Sequence, residues 1–126
     1  MSNVSYGQEK ERDRIAHYTQ TGWHLLFRAI RTKYQREDIG GGWDLWLARN
    51  SYLSGMEWLF VSVGPYSERA EKLREAKEWL NKYDPGNNNI RYALDLYKPP
   101  HHEGRGKAKK WVPGVTWLSE MVTRDG

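Results

Sequence analysis

The groups that could do chemistry in this 126-residue chain are four histidines, sixteen acidic and twenty basic residues, and cysteine is absent. A thiol nucleophile, a disulfide framework and a Cys-type zinc site are thereby excluded; the absence fits a reducing compartment. His17 and His24 would share a face only on a helix running unbroken through Gly22. His101 and His102 lie in a basic stretch without a neighbouring nucleophile, and with Glu103 they would diverge along an extended segment rather than converge on a metal. No Ser-His-Asp elbow and no Gly-rich phosphate cradle occurs. A small general acid–base ribonuclease using His24 and the lysines is the enzymatic reading left open. Beyond it, no catalytic residue, metal ligand or cofactor is expected.

Charge is more informative than the histidines. The net charge is +4, and residues 98–110 alone carry Lys98, Arg105, Lys107, Lys109 and Lys110 against Glu103. A short basic run among Gly and Pro is a plausible footprint for phosphates, although a solvated loop has the same composition. A second basic cluster, Arg28, Arg31 and Arg36, belongs to a stretch that reads as a helix. If these cations converge with Lys107, Lys109 and Lys110, they suit an A-form duplex, whose phosphates and 2′-hydroxyls are read mainly by shape. Arg49 and Arg91 would add phosphate contacts, and Ser62 or Asn50 could reach hydroxyls.

The aromatics supply the other signal: seven Trp, eight Tyr and two Phe, 13% of the chain, are too many for a disordered polymer. Trp43 follows three glycines, and with Trp46 it is the candidate for stacking on a terminal base pair. Core or interface packing is the favoured role for at least one of them. Gly22-Trp23 and Gly42-Trp43 also have the form of tryptophan hooks for Argonaute-type pockets, but composition alone yields about one such pair.

The elements that must position these groups follow from periodicity. Residues 8–19 are compatible with a helix. Thr21 then caps a second one, in which Trp23, Leu26, Phe27, Ile30 and Tyr34 form an apolar stripe. Gly40-Gly41-Gly42 ends it. Residues 43–49 and 56–63 read as strands, and Ser67 starts a helix running to Tyr83. Residues 90–97 alternate as a strand, with Ile90, Tyr92, Leu94 and Leu96 inward and Arg91, Ala93, Asp95 and Tyr97 outward; Pro99-Pro100 stops it. The tail returns as a short helix over residues 117–123.

The fold expected is α+β: a small, mostly antiparallel sheet with helices packed on one face, N-terminal helices and a C-terminal return segment. Residues 1–126 form one domain, with a flexible N-terminus at 1–7 and a basic Pro/Gly loop at 98–110. The far face would show Trp58, Phe60, Arg91 and Tyr97, and a homodimer joined through the sheet would cover it. No run approaches the ~18 apolar residues of a membrane span, and no signal peptide is visible. A cytoplasmic protein without membrane contact is therefore expected.

The segment FVSVGPYSERAEKLREAKEWL, after a helix rich in Arg, resembles the core of the tombusvirus and aureusvirus RNA-silencing suppressors. The resemblance rests on element order and a strand–Gly–Ser–helix junction, over about half the chain. It implies a homodimer that grips double-stranded RNA and withholds it from host silencing proteins in the host cytoplasm, with Trp43 and Trp46 as end-stacking residues. The N-terminal extension that measures duplex length in tombusvirus members does not match, so binding without strict size choice is implied. The same segment is similar to the second half of a SPOR repeat, which implies a glycan- or protein-interaction module. That family is usually tethered to a membrane, and its expected first strand is replaced here by N-terminal helices.

Overall fold

A computed structural model describes residues 3–31, 36–37, 42–53 and 55–124. In chain order the elements are α1 (Asn3–Gln20), β1 (His24–Arg28), β2 (Ile30–Arg31), β3 (Arg36–Glu37), β4 (Leu45–Ser51), β5 (Gly55–Pro65), α2 (Arg69–Tyr83), β6 (Ile90–Lys98), β7 (His101–Glu103), β8 (Lys110–Val112) and β9 (Thr116–Met121). A five-stranded sheet has the order β1-β4-β5-β6-β9. Only the β5–β6 pair is parallel within that sheet, and it is bridged by α2, the long crossover that parallel strands require. The fold is thus a small α+β one, with a mixed, mostly antiparallel sheet and helices packed against it.

The helices do not share a face. Tyr18 and Ile15 of α1 pack on Leu45, Leu47, Leu59, Val61 and Ala93. Ala76, Leu80 and Trp79 of α2 pack on Phe60, Tyr92 and Leu94. Neighbouring strand residues point to opposite faces, so α1 and α2 sandwich the sheet. The face expected to be open is split for the same reason: Trp58 is level with Ile90 and Phe60 with Tyr92, which leaves Arg91 and Tyr97 on the α1 side.

Among the described residues the second N-terminal helix is absent; those of its span form β1, β2 and β3 instead. Thr21 ends α1 rather than starting a helix: its Oγ1 donates to the Tyr18 carbonyl at 2.9 Å, and Gly22 takes φ +96°, a left-handed conformation that suits glycine. Trp23 and Leu25 then face α1. A register shift between Leu25 and Phe27 turns Phe27 to the other face, where it is exposed. The C-terminal helix is likewise a strand, β9, whose Ser119 lies opposite Asp95. At the other end α1 already begins at Asn3, so residues 3–7 are helical; 1–2 lie outside the described residues.

α1 meets the sheet largely through charge. Lys10, Glu11, Arg14 and Tyr18 are buried. Asp95, expected to point outward, is fully buried and accepts from Arg14 Nε at 2.7 Å, Tyr18 Oη at 2.7 Å and Ser119 Oγ at 2.6 Å. Three donors on one carboxylate compensate the desolvation that burial imposes. The Tyr18 phenol is pushed far up, first by burial and then by the adjacent Asp95 charge.

Candidate nucleic-acid interface

Between β6 and β9 the chain makes a separate two-stranded arm. Pro99-Pro100 ends β6, since proline cannot extend the hydrogen-bonded ladder, and β7 pairs with β8 through His101↔Val112, His102↔Trp111 and Glu103↔Lys110. The turn uses glycine where φ is positive, +98° at Gly104 and +59° at Gly106. So the basic loop at 98–110 is largely a hairpin.

Arg105, Lys107, Lys109 and Lys110 are all exposed on this arm, and none of the four forms an ion pair among the described residues. Arg12, Lys72, Lys82 and Arg124 likewise form no ion pair among the described residues, but six framework arginines differ. Arg14 is held by Asp95, Arg28 by Glu11, Arg49 and Arg91 by Glu57, Arg69 by Glu120 and Arg74 by Glu78. The arm's one carboxylate, Glu103, is engaged by His101, whose ring nitrogens lie 2.8 Å from Glu103 Oε1 and 2.7 Å from the Pro99 carbonyl oxygen. An imidazolium donates to both. The pKa of His101 is accordingly raised, by Glu103 first and then by the Pro99 carbonyl, and that of Glu103 is lowered.

The structure does not bring the remaining sequence candidates to the arm. Arg28 sits on β1, three strand spacings or about 14 Å across the sheet from β6, and its guanidinium also donates to the Gln8 carbonyl at 2.9 Å. Arg91 is seven residues before the end of β6, roughly 23 Å along the strand. With Arg49 it holds the buried Glu57 at 3.2 Å, and Arg49 lies 4.3 Å from the Trp23 ring centroid. The side chains of Arg31 and Arg36 lie outside the described residues. The expected convergence of the two basic stretches is therefore not found among the described cations.

The two tryptophans proposed for base stacking are packed in the protein. Trp43 is 1% exposed, with Tyr92, Trp79 and Phe60 at ring-centroid distances of 5.3, 5.6 and 6.4 Å. Trp46 stacks on Phe60 at 5.6 Å and meets Trp58 edge-on at 5.3 Å. Among the described residues neither indole N–H finds an acceptor. Ser62 is buried and offers no hydroxyl to a groove.

The histidines stay apart as well. α1 ends before Gly22, so His17 and His24 share no helix face. Among the described residues no group of three or more His, Cys, Asp or Glu is placed to hold a metal ion, and no helix is long and apolar enough to cross a membrane. A cleft of about 400 Å³ opens beside the C-terminal turn of α2, lined by Asp84, Asn87, Arg91, Tyr92, Thr123 and Arg124 among others. There the Tyr92 hydroxyl donates to Asp84 at 3.4 Å, and its pKa is pushed up to about 12, by burial first.

Sequence reasoning passed over Trp111, which is 55% exposed and stands in the middle of β8. The signal was present: Pro99-Pro100 and Pro113-Gly114 bracket a stretch centred on Gly104 and Gly106, the punctuation of a hairpin. No family model matches the chain, and no curated protein or solved structure matches it either.

Proposed function

We propose that this protein binds double-stranded RNA through its phosphates, without catalysing a reaction on it, and that the β7–β8 arm is the principal contact. One observation carries the reading: four exposed cations without an acidic partner among the described residues are clustered within residues 105–110 of one arm, whereas six framework arginines contact a carboxylate and the other unpaired cations, Arg12, Lys72, Lys82 and Arg124, are dispersed over α1, α2 and the C-terminal segment. An unpaired, solvated cation binds phosphate and releases counterions without first breaking an internal ion pair. A-form RNA suits a shape-directed contact of this kind.

The likeness of the β5–α2 junction to the tombusvirus and aureusvirus suppressors extends the proposal to sequestration of duplex RNA from host silencing proteins in a host cytoplasm, by a homodimer. Leu26, Phe27, Met56 and Trp58 are exposed apolar residues at the β1–β4–β5 corner of the sheet; they support self-association, which would present two arms to one duplex and raise avidity.

The test is a gel shift with duplex RNA, duplex DNA and single strands at 50 and 200 mM salt. The expected result is retention of duplex RNA at low salt, steep loss at high salt and no RNA turnover. Binding insensitive to salt would favour the glycan or protein module that the SPOR resemblance implies. RNA cleavage abolished by changing His24 or His102 would favour the ribonuclease.

A further inference from the structure

We infer that the arm also holds an unpaired base, with Trp111 as its stacking platform, so that the preferred ligand is an RNA duplex carrying single-stranded nucleotides. This rests on the phosphate-binding reading above and names the ligand feature the same site selects.

His102 and Trp111 are directly opposed in the hairpin, and opposed residues of an antiparallel pair project from the same face. Their rings touch, with centroids 4.7 Å apart and planes at 53°. His101 and Glu103 occupy the other face, joined to each other. One side of the arm is therefore aromatic, and Trp111 remains 55% exposed there.

Lys109 lies two residues before this ring and Lys107 in the adjoining turn, whereas Lys110, opposite Glu103, projects from the other face. The combination of a π surface with free ammonium groups within a few residues matches a nucleotide, base and phosphate together. Bases inside a duplex have both faces covered by their neighbours, and the deep A-form groove excludes side chains. A base that can reach Trp111 is therefore an unpaired one. Charge complementarity selects this occupant over an apolar protein surface, which would have to desolvate the same lysines.

The experiment measures anisotropy on a blunt RNA duplex, on the same duplex with a three-nucleotide overhang, and on one with an abasic overhang. Proteins are the wild type, Trp111→Ala, Trp111→Phe and Lys107→Ala/Lys109→Ala/Lys110→Ala. The overhang is expected to tighten wild-type binding about tenfold, the order of one base–aromatic stack. That gain should vanish with the abasic overhang and in Trp111→Ala, persist largely in Trp111→Phe, and leave the salt slope unchanged. Equal wild-type affinity for the intact and abasic overhangs would overturn the inference, as would a gain that survives in Trp111→Ala. The abasic comparison needs no variant, so a misfolded arm cannot mask the answer. If blunt and overhang duplexes bind and the triple-lysine variant weakens both, only the base-stacking inference has failed. If no RNA binds at 50 mM salt, the phosphate reading has failed with it.

Discussion

Replacing Lys107, Lys109 and Lys110 by alanine should flatten the salt dependence of RNA binding. These lysines and Arg105 are exposed and form no ion pair among the described residues, so each is free to neutralise one phosphate. Each phosphate neutralised on a duplex contributes about 0.9 to the slope of log K against log salt. Four contacts then give a slope of ~3.6, and a fourfold rise in salt costs the wild type about 150-fold in affinity. The variant retains Arg105 and a slope of ~0.9, losing only about 3.5-fold over the same range. A charge-matched control, Arg12→Ala/Arg74→Ala/Lys82→Ala, removes three exposed cations from the helices and should keep the wild-type slope. Fluorescence titration at four salt concentrations, with thermal melts confirming that both triples fold, decides the matter. Equal slopes for the two variants would mean that binding follows net charge and not the arm, and the reasoning would be wrong.

The remaining predictions concern the framework. Asp95→Ala strips the acceptor from Arg14, Tyr18 and Ser119 and leaves a buried guanidinium uncompensated; urea unfolding should show a loss of about 3–5 kcal/mol. A loss below ~1 kcal/mol would show that water or another carboxylate takes over the role of Asp95. Alkaline stability follows from Tyr18 and Tyr92, both of which hold their protons above the ordinary tyrosine value of 10.0 in the folded state. The unfolded chain loses those protons first, so their contribution is complete below about pH 10 and declines as pH rises toward the Tyr92 value of about 12. Spectroscopic titration should find Tyr18 and Tyr92 ionising above the ordinary tyrosine value, and Tyr92→Phe should shallow the fall in stability. Stability independent of pH from 9 to 11 would contradict this.

The local code of β5, α2 and β6 was legible in the amino-acid order. Leu59, Val61 and Val63 alternate with Trp58, Phe60 and Ser62, Ala76 and Leu80 repeat at helical spacing, and the turns carry Pro, Gly and Asn. β5 and α2 fold as read because hydrophobic period, turn residues and burial agree; β6 forms where expected, but Ala93, Asp95 and Tyr97, expected outward, are buried because α1 covers that face of the sheet. Residues 23–30 were misread because a bulge between Leu25 and Phe27 breaks the alternation of β1, and the surviving apolar spacing imitates a helix. The helical expectation for residues 117–123 failed differently: Ser119 and Glu120 are polar at positions that β9 turns toward Asp95 and Arg69, so no apolar alternation marked the strand.

The sequence by itself determined the clustering of cations at 98–110, the absence of cysteine chemistry and the aromatic character of the core. Tertiary structure alone decided which charges remain available. Arg14, Arg28, Arg49 and Arg91 read as cations like any other until packing sets Asp95 against Arg14, Glu11 against Arg28, and Glu57 between Arg49 and Arg91. Trp43 reads as a free ring until α2 closes over it. Ion pairing and burial are long-range properties of a packed chain, and residue type with local spacing carries no record of the partner.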